Sequence, residues 1–391
     1  MIMKKIHSTI LLTILLSMFC PQAFAHDIEV ANADGVMIYY NFINDGTELE
    51  VTYQGTENYS QVYSGDVVIP EEVTFCNRNL KVTSIGKDAF YCCSSLTSVT
   101  IPNSVKNIGK QGFIKCSGLT SVTIPNSVTS MGDYAFFGCS GLTSLFISNS
   151  VKSIGEWTFY GCTELTSVII PNSVTSIGAR AFNDCSSLNS VTIPNSVTSI
   201  GEFAFSGCSS LTSVTIPNSM TSIEEQTFGG CSSLTSVMIP NSVTSIGESS
   251  FFDCRSLSSV TIPNSVTSIG KQAFFYCRNL SSVTIPNSVT TIGEMAFSDC
   301  DIIDVISEME DPYSIDTNTF SDITYNNATL HIPTGAIKKY KYKEGWKNFA
   351  HIVDGNGVSD SPTGATKYIW YIMASVVLLI AIGYLLKRKM Q

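Results

Sequence analysis

One pentapeptide returns every 23 residues along most of this chain. Ile-Pro-Asn-Ser-Val begins at Ile101, Ile124, Ile170, Ile193, Ile239, Ile262 and Ile285, with near copies in phase at Ile147 and Ile216. A period held this exactly leaves few architectures open. Every repeat must adopt the same local structure, so equivalent residues stack into columns and the chain winds as a solenoid.

The unit from Leu96 to Gly118 shows what one turn contains. Val99 and Ile101 alternate with Ser98 and Thr100, the period-two pattern of a strand with one buried face. Pro102 has no N–H for a ladder and ends that strand. Val105 and Ile108 turn a second short extended segment inward, and Gly109 permits the corner after it. Phe113 plugs the far side from a helical turn or irregular loop, and Cys116 completes the interior before Leu119 opens the next unit. A lone unit leaves both of its flat faces bare, so the turns are expected to fold together.

Ten cysteines share the period, from Cys93 and Cys116 through Cys277 and Cys300. Stacked parallel turns put equivalent residues ~4.8 Å apart, within disulfide range at Cα. Parallel side chains keep their Cβ atoms about as far apart, beyond the ~3.8 Å a disulfide prefers. The expectation is therefore a ladder of buried thiols acting as small hydrophobes, set against the disulfides an exported protein permits. Cys76 and Cys92 break the period and are the expected reactive pair. No Cys-x-x-Cys pair or neighbouring His accompanies the ladder, so no metal is expected.

The ends read as targeting segments. Lys4 and Lys5, the apolar run Ile10 to Phe19 and Ala23-Phe24-Ala25 fit a signal peptide over 1–25, with the mature chain starting at His26. Phe19 is too bulky before Cys20 for lipid attachment there. Residues 369–386 are uncharged and apolar, and at ~1.5 Å per residue they reach ~27 Å, close to the ~30 Å hydrocarbon core. Trp370, Tyr371 and Tyr384 lie near its ends, and Lys387-Arg388-Lys389 follows as a stop signal. The alternative is a cleaved sorting signal, for which Ser361-Pro362-Thr363-Gly364 is an imperfect box. The expected organisation is a signal peptide (1–25), an N-terminal β-rich flank (26–64) and a repeat solenoid (65–300). A C-terminal repeat and cap (301–354), a flexible stalk (355–368), one transmembrane helix (369–386) and a cytoplasmic tail (387–391) complete it. That places the ectodomain at the cell surface on a single-pass anchor.

Charge and residue types exclude several functions. The formal charge is −10, and removing the leader and the basic tail makes it more negative, so nucleic acid is not an expected partner. His26, His331 and His351 lie beside no nucleophile pattern, and no phosphate-binding glycine loop or zinc-helix pair occurs. Glu71-Glu72 and Glu224-Glu225 read as solvated surface charge. No enzyme activity, catalytic residue, cofactor or metal is expected.

The unit Leu119-Thr-Ser-Val-Thr-Ile-Pro-Asn-Ser-Val, with Gly132, Ala135-Phe136 and Cys139, resembles the repeat of BspA-like, treponemal-type leucine-rich-repeat surface proteins. Met131 stands where that repeat has Ile. The likeness covers about residues 65–354, and the terminal Leu330-His331-Ile332-Pro333-Thr334-Gly335 with Tyr340, Trp346, Phe349 and Ile352 is similar to the family's cap. Ser104 at the usual asparagine-ladder position departs from the commoner leucine-rich repeat and puts a pronounced horseshoe curvature in doubt. The resemblance implies a mainly β, right-handed leucine-rich-repeat solenoid with a parallel strand ladder and irregular caps. It also implies a cell-surface adhesin whose partner is an extracellular protein, a glycan or another cell. The alternative is a self-associating surface coat.

A binding site is sought where the repeats differ. Outward strand positions are nearly uniform Ser and Thr, with Phe146, Ile169 and Met238 as exceptions. Phe146 and Ile169 are equivalent positions of consecutive turns, so their side chains are expected to touch. After the glycine corner, Tyr134, Trp157 and Phe203 share one column and Phe137 and Tyr160 another. The candidate ligand-binding residues are Phe146, Ile169, Trp157, Tyr160, Tyr134 and Phe137. Large aromatics at such columns either anchor a partner or pack between turns.

Overall fold

The computed structural model describes residues 26–55 and 62–359. The expected signal peptide and C-terminal span lie outside these residues. Among the described residues no helix is long and apolar enough to cross a membrane. The chain forms two compact units, one through Leu234 and one from Thr235 onward. Both are mainly β and built from parallel solenoid turns, each turn named below by its leading leucine.

Unit one opens with three antiparallel strands, Ile28–Ala31, Met37–Ile43 and Glu48–Thr52. Glu48–Thr52 then pairs in parallel with Arg78–Ile85, which converts the flank into the first solenoid layer and covers an otherwise open edge. The repeat predicts one ladder strand per turn with a second extended segment behind it. The structure gives that second segment a ladder of its own. First strands such as Leu96–Thr100, Ser121–Thr123 and Ser144–Phe146 stack in one layer, and two-residue strands such as Asn107–Ile108 and Ser130–Met131 stack in another.

Alternation does the sorting in the first strand. Val122 and Ile124 are buried while Ser121 and Thr123 are exposed. Pro125 closes a tight turn in which its carbonyl accepts from the Val128 N–H at 3.0 Å, and this returns the chain for the second strand. Gly132 is then obligatory: a Cβ there would lie 2.5 Å from the Lys110 nitrogen of the preceding turn.

The segment after that glycine is neither helix nor irregular loop. Its residues 134 and 138 have positive φ, as do their counterparts in the neighbouring turns, Gln111, Lys115, Trp157 and Gly161. Three N–H groups per turn reach the next turn from here, illustrated by Tyr134 to Glu156 O, Phe136 to Thr158 O and Gly138 to Tyr160 O, at 2.7–2.9 Å. This makes a third ladder on the turn side. Behind it Phe90, Phe113, Phe136, Phe159, Phe182 and Phe205 stack face to face with centroids 4.7–5.5 Å apart.

All ten periodic cysteines are buried. From Cys116 to Cys231 each thiol donates to a phenylalanine carbonyl of the preceding turn at 3.0–3.5 Å. Burial pushes the thiols of Cys185 and Cys231 up to about 12. Cys76 is exposed and Cys92 half-buried.

Unit two repeats the scheme, with Phe251, Phe274, Phe297 and Phe320 stacked at 5.3–5.4 Å. Its last strands, Asp304–Ser307, Thr329–Ile332 and His351–Asp354, remain parallel after the 23-residue period has lapsed. Two short helices, α1 (Asp322–Asn327) and α2 (Ile337–Lys341), and a 3-10 turn at Trp346–Asn348 complete the cap. Trp346 and Tyr340 are fully buried there, the Trp346 Nε1–H donating to Tyr313 O at 2.9 Å and the Tyr340 hydroxyl 2.6 Å from Ser307 Oγ. The fold runs on past Asp354, whose carboxylate accepts from the N–H groups of Gly335, Asn356 and Val358, and Ser359 bridges back to Val353.

Candidate functional site

The six residues singled out in the sequence fall on two different elements of unit one. Phe146 ends the strand Ser144–Phe146, and Ile169 ends Ser167–Ile169. Both are outward, 58% and 73% exposed, because their neighbours Leu145 and Val168 take the inward places. Phe146 is in register with Thr123 and Ile169 with Thr192, so polar hydroxyl columns flank the apolar pair on both sides. The two strands themselves are not joined by a ladder, contrary to the uninterrupted stacking the period implies.

Tyr134, Phe137, Trp157 and Tyr160 lie in the turn-side segments and do come together. Tyr134 stacks on Trp157 at 5.7 Å and Phe137 on Tyr160 at 4.7 Å, and the Trp157 and Tyr160 rings meet at 4.9 Å. The Arg180 guanidinium covers the other side of Trp157 at 4.8 Å and lies over Phe203 at 4.2 Å. Lys110 sits over Tyr134 at 5.6 Å. The Asp184 carboxylate near Tyr160 raises its phenol above the ordinary range. Stacking of a cation between aromatic faces is attractive by ~0.5–1 kcal/mol per contact at exposed sites. Trp157 has Tyr134 stacked on it and Arg180 over it, so little of its ring face is left for a ligand. Among the described residues the ring contacts of this cluster do not include Phe146. The accessible apolar surface therefore lies at the strand pair, with the half-buried aromatic cluster acting as packing between turns.

Sequence reasoning passed over a third feature. A shallow groove of about 460 Å³ runs along the second-strand layer, its walls including Asp133, Glu156, Ser176, Ser199, Met220 and Glu224. Glu224 stands where the neighbouring turns have Gly155, Gly178 and Gly201, and that substitution was the signal available in the sequence. A Cβ at Gly201 would meet the Ala179 nitrogen at 2.5 Å, so a side chain at the corresponding place forces turns apart. The short strands Ser199–Ile200 and Ser222–Ile223 are indeed not paired with each other. Among the described residues no group of three or more His, Cys, Asp or Glu side chains is gathered for a metal ion.

Comparison with known proteins fits this architecture. The family model described as BspA type leucine-rich repeat region matches residues 83–212 and 199–327, in six copies. A leucine-rich repeat protein from Bacteroides ovatus is similar in structure, with 24% identity, a TM-score of 0.50, and coverage of 81% of this chain and 98% of that one. A leucine-rich cell surface protein from Faecalibacterium prausnitzii is 27% identical, with a TM-score of 0.46 and coverage of 82% and 98%. No curated protein sequence matches. The similar proteins are repeat proteins and not members of enzyme families.

Proposed function

We propose that this chain, which belongs to the BspA-type leucine-rich-repeat family, is a binding protein displayed at the cell surface, an adhesin for an extracellular protein, a glycan or another cell. The observation that carries the reading is the strand face of unit one. A sheet of Ser and Thr side chains is interrupted at consecutive turns by Phe146 and Ile169, both largely exposed. Apolar side chains ringed by polar ones are what a protein–protein contact uses as its centre, since burying them removes apolar area from water while the rim excludes it. Display follows from the apolar segment 369–386, which serves as the anchor, with the leader 1–25 directing export.

The test immobilises matrix proteins, glycans and partner cells and measures binding of wild type and of Phe146→Thr/Ile169→Thr. Thr is the residue most turns already carry there, so the expected result is unchanged thermal stability and binding weaker by ~2 kcal/mol or more. Lost stability with intact binding would place both residues in the core. Lack of binding to every surface, together with concentration-dependent growth of particle size in light scattering, would favour a self-associating coat.

A further inference from the structure

Unit one is interrupted at three junctions: the one after the Leu188 turn lacks its second-strand ladder at Glu224, and the other two flank one turn, that of Leu142. Where stacking is complete, as between the Leu96 and Leu119 turns and between the Leu165 and Leu188 turns, three ladders join consecutive turns: first strand, second strand and turn-side segment. Between the Leu119 and Leu142 turns the second-strand ladder is absent, for Ser130–Met131 pairs only backward and Ser153–Ile154 only forward. Between the Leu142 and Leu165 turns it is the first-strand ladder that is absent, for Ser144–Phe146 pairs only backward and Ser167–Ile169 only forward. Of the turns from Leu96 to Leu188, the Leu142 turn alone lacks a ladder at both of its junctions. The break crosses it diagonally, between its two strands.

The residues there explain the misfit. Leu145 replaces the valine of other turns and is only half-buried, whereas Val122 and Val168 are buried. Ser148 replaces proline, and its hydroxyl is buried with no hydrogen-bond partner. Met131 replaces isoleucine in the strand that fails to pair. The separation is also visible at the glycine corner. A Cβ at Gly132 or Gly178 would meet preceding-turn backbone at 2.5 or 2.7 Å, but at Gly155 the nearest such atom is 3.3 Å away. The Asp133 carboxylate fills the gap and accepts from the Glu156 N–H at 3.0 Å.

What persists across both junctions is the turn side. Tyr134, Phe136 and Gly138 donate to the Leu142 turn, and Trp157, Phe159 and Gly161 donate onward to Ala179, Ala181 and Asn183, all at 2.7–2.9 Å. The aromatic cluster lies on this same line, with Tyr134 against Trp157 and Phe137 against Tyr160 spanning the first of the two weakened junctions.

We propose that the Leu142 turn is a hinge within unit one, pivoting on its turn-side ladder and held there by the stacked aromatics while its two strand sides open. Sites of low local stability are those short of buried hydrogen bonds, and here they are set by Leu145 and Ser148 in the Leu142 turn and Met131 in the turn before it.

Amide hydrogen exchange of the full chain, resolved to single residues by mass spectrometry, tests this. The N–H groups of Lys152, Gly155 and Thr166 lack the ladder bonds made by their counterparts Thr175, Gly178 and Asn189. They are expected to exchange at least about tenfold faster than those counterparts, with Phe136 and Trp157 staying slow. Equal protection of the two sets overturns the hinge, and fast exchange at Phe136 and Trp157 overturns the pivot. Trp157→Gln, which installs the residue found at Gln111 and Gln226, is expected to speed exchange at Phe136 and Tyr134 at least threefold. No change there would remove the aromatics from the device. Met131→Ile/Leu145→Val/Ser148→Pro, the sequence of regular turns, is expected to restore slow exchange at Gly155, and failure to do so would overturn the assigned cause.

Discussion

The thiol ladder makes stability depend on alkaline pH. Cys185 and Cys231 are fully enclosed, donate to the carbonyls of Phe159 and Phe205 at 3.2 and 3.3 Å, and are pushed by burial from the usual 9.0 to about 12. A raised acid pKa means that the folded state keeps a proton the unfolded state gives up. The stabilisation is complete below pH 9 and is lost as pH climbs from 9 towards 12. At pH 10 an unfolded thiol is about nine-tenths ionised and the folded one is not, which amounts to about 1.4 kcal/mol per residue and about 3 kcal/mol for the pair. Urea unfolding of wild type under reducing conditions, at pH 7 and pH 10, is compared with Cys185→Ser/Cys231→Ser. Serine keeps a donor for each carbonyl but does not ionise in this range. The loss of stability between the two pH values is expected to be smaller in the variant by about 3 kcal/mol. Equal losses would refute the argument, because they would mean that the thiols ionise as readily inside the protein as outside.

Gly178→Ala would place a Cβ 2.7 Å from Glu156 N and is expected to cost about 1–3 kcal/mol in urea unfolding, while Gly55→Ala, with nothing within 4 Å, should change stability by less than about 0.5 kcal/mol. Phe159→Ala removes one ring of the stacked column and is expected to cost about 3–5 kcal/mol; a smaller loss would mean that the neighbouring rings close the gap. Glu224→Gly removes the side chain that separates two turns and should raise the melting midpoint by an amount equivalent to about 1 kcal/mol as the second-strand ladder reforms. Arg180→Ala should cost about 1–2 kcal/mol and change Trp157 fluorescence, since the guanidinium lies over both Trp157 and Phe203.

Much of the fold was legible in the sequence because the repeat is a list of local requirements. Alternating Val and Ile against Ser and Thr can satisfy only a half-buried strand, Pro125 and its equivalents must end it, and a column of glycines marks where backbone approaches backbone. The burial of the cysteines followed from the same stacking logic. The site was legible only in part. Departures from a repeat are visible one residue at a time, so Phe146 and Ile169 stood out as outward apolar residues, and the structure leaves them exposed. Whether Trp157 offers its face to a partner depended on Arg180 and Tyr134, which lie one turn away on either side, and only stacking brings them together. The second ladder, the left-handed turn segment and the interruption at the Leu142 turn likewise belong to the tertiary structure. Each is decided by how closely one turn can approach the next, a distance that at the Leu142 turn depends on Leu145, Ser148 and Met131 together and that the period by itself does not contain.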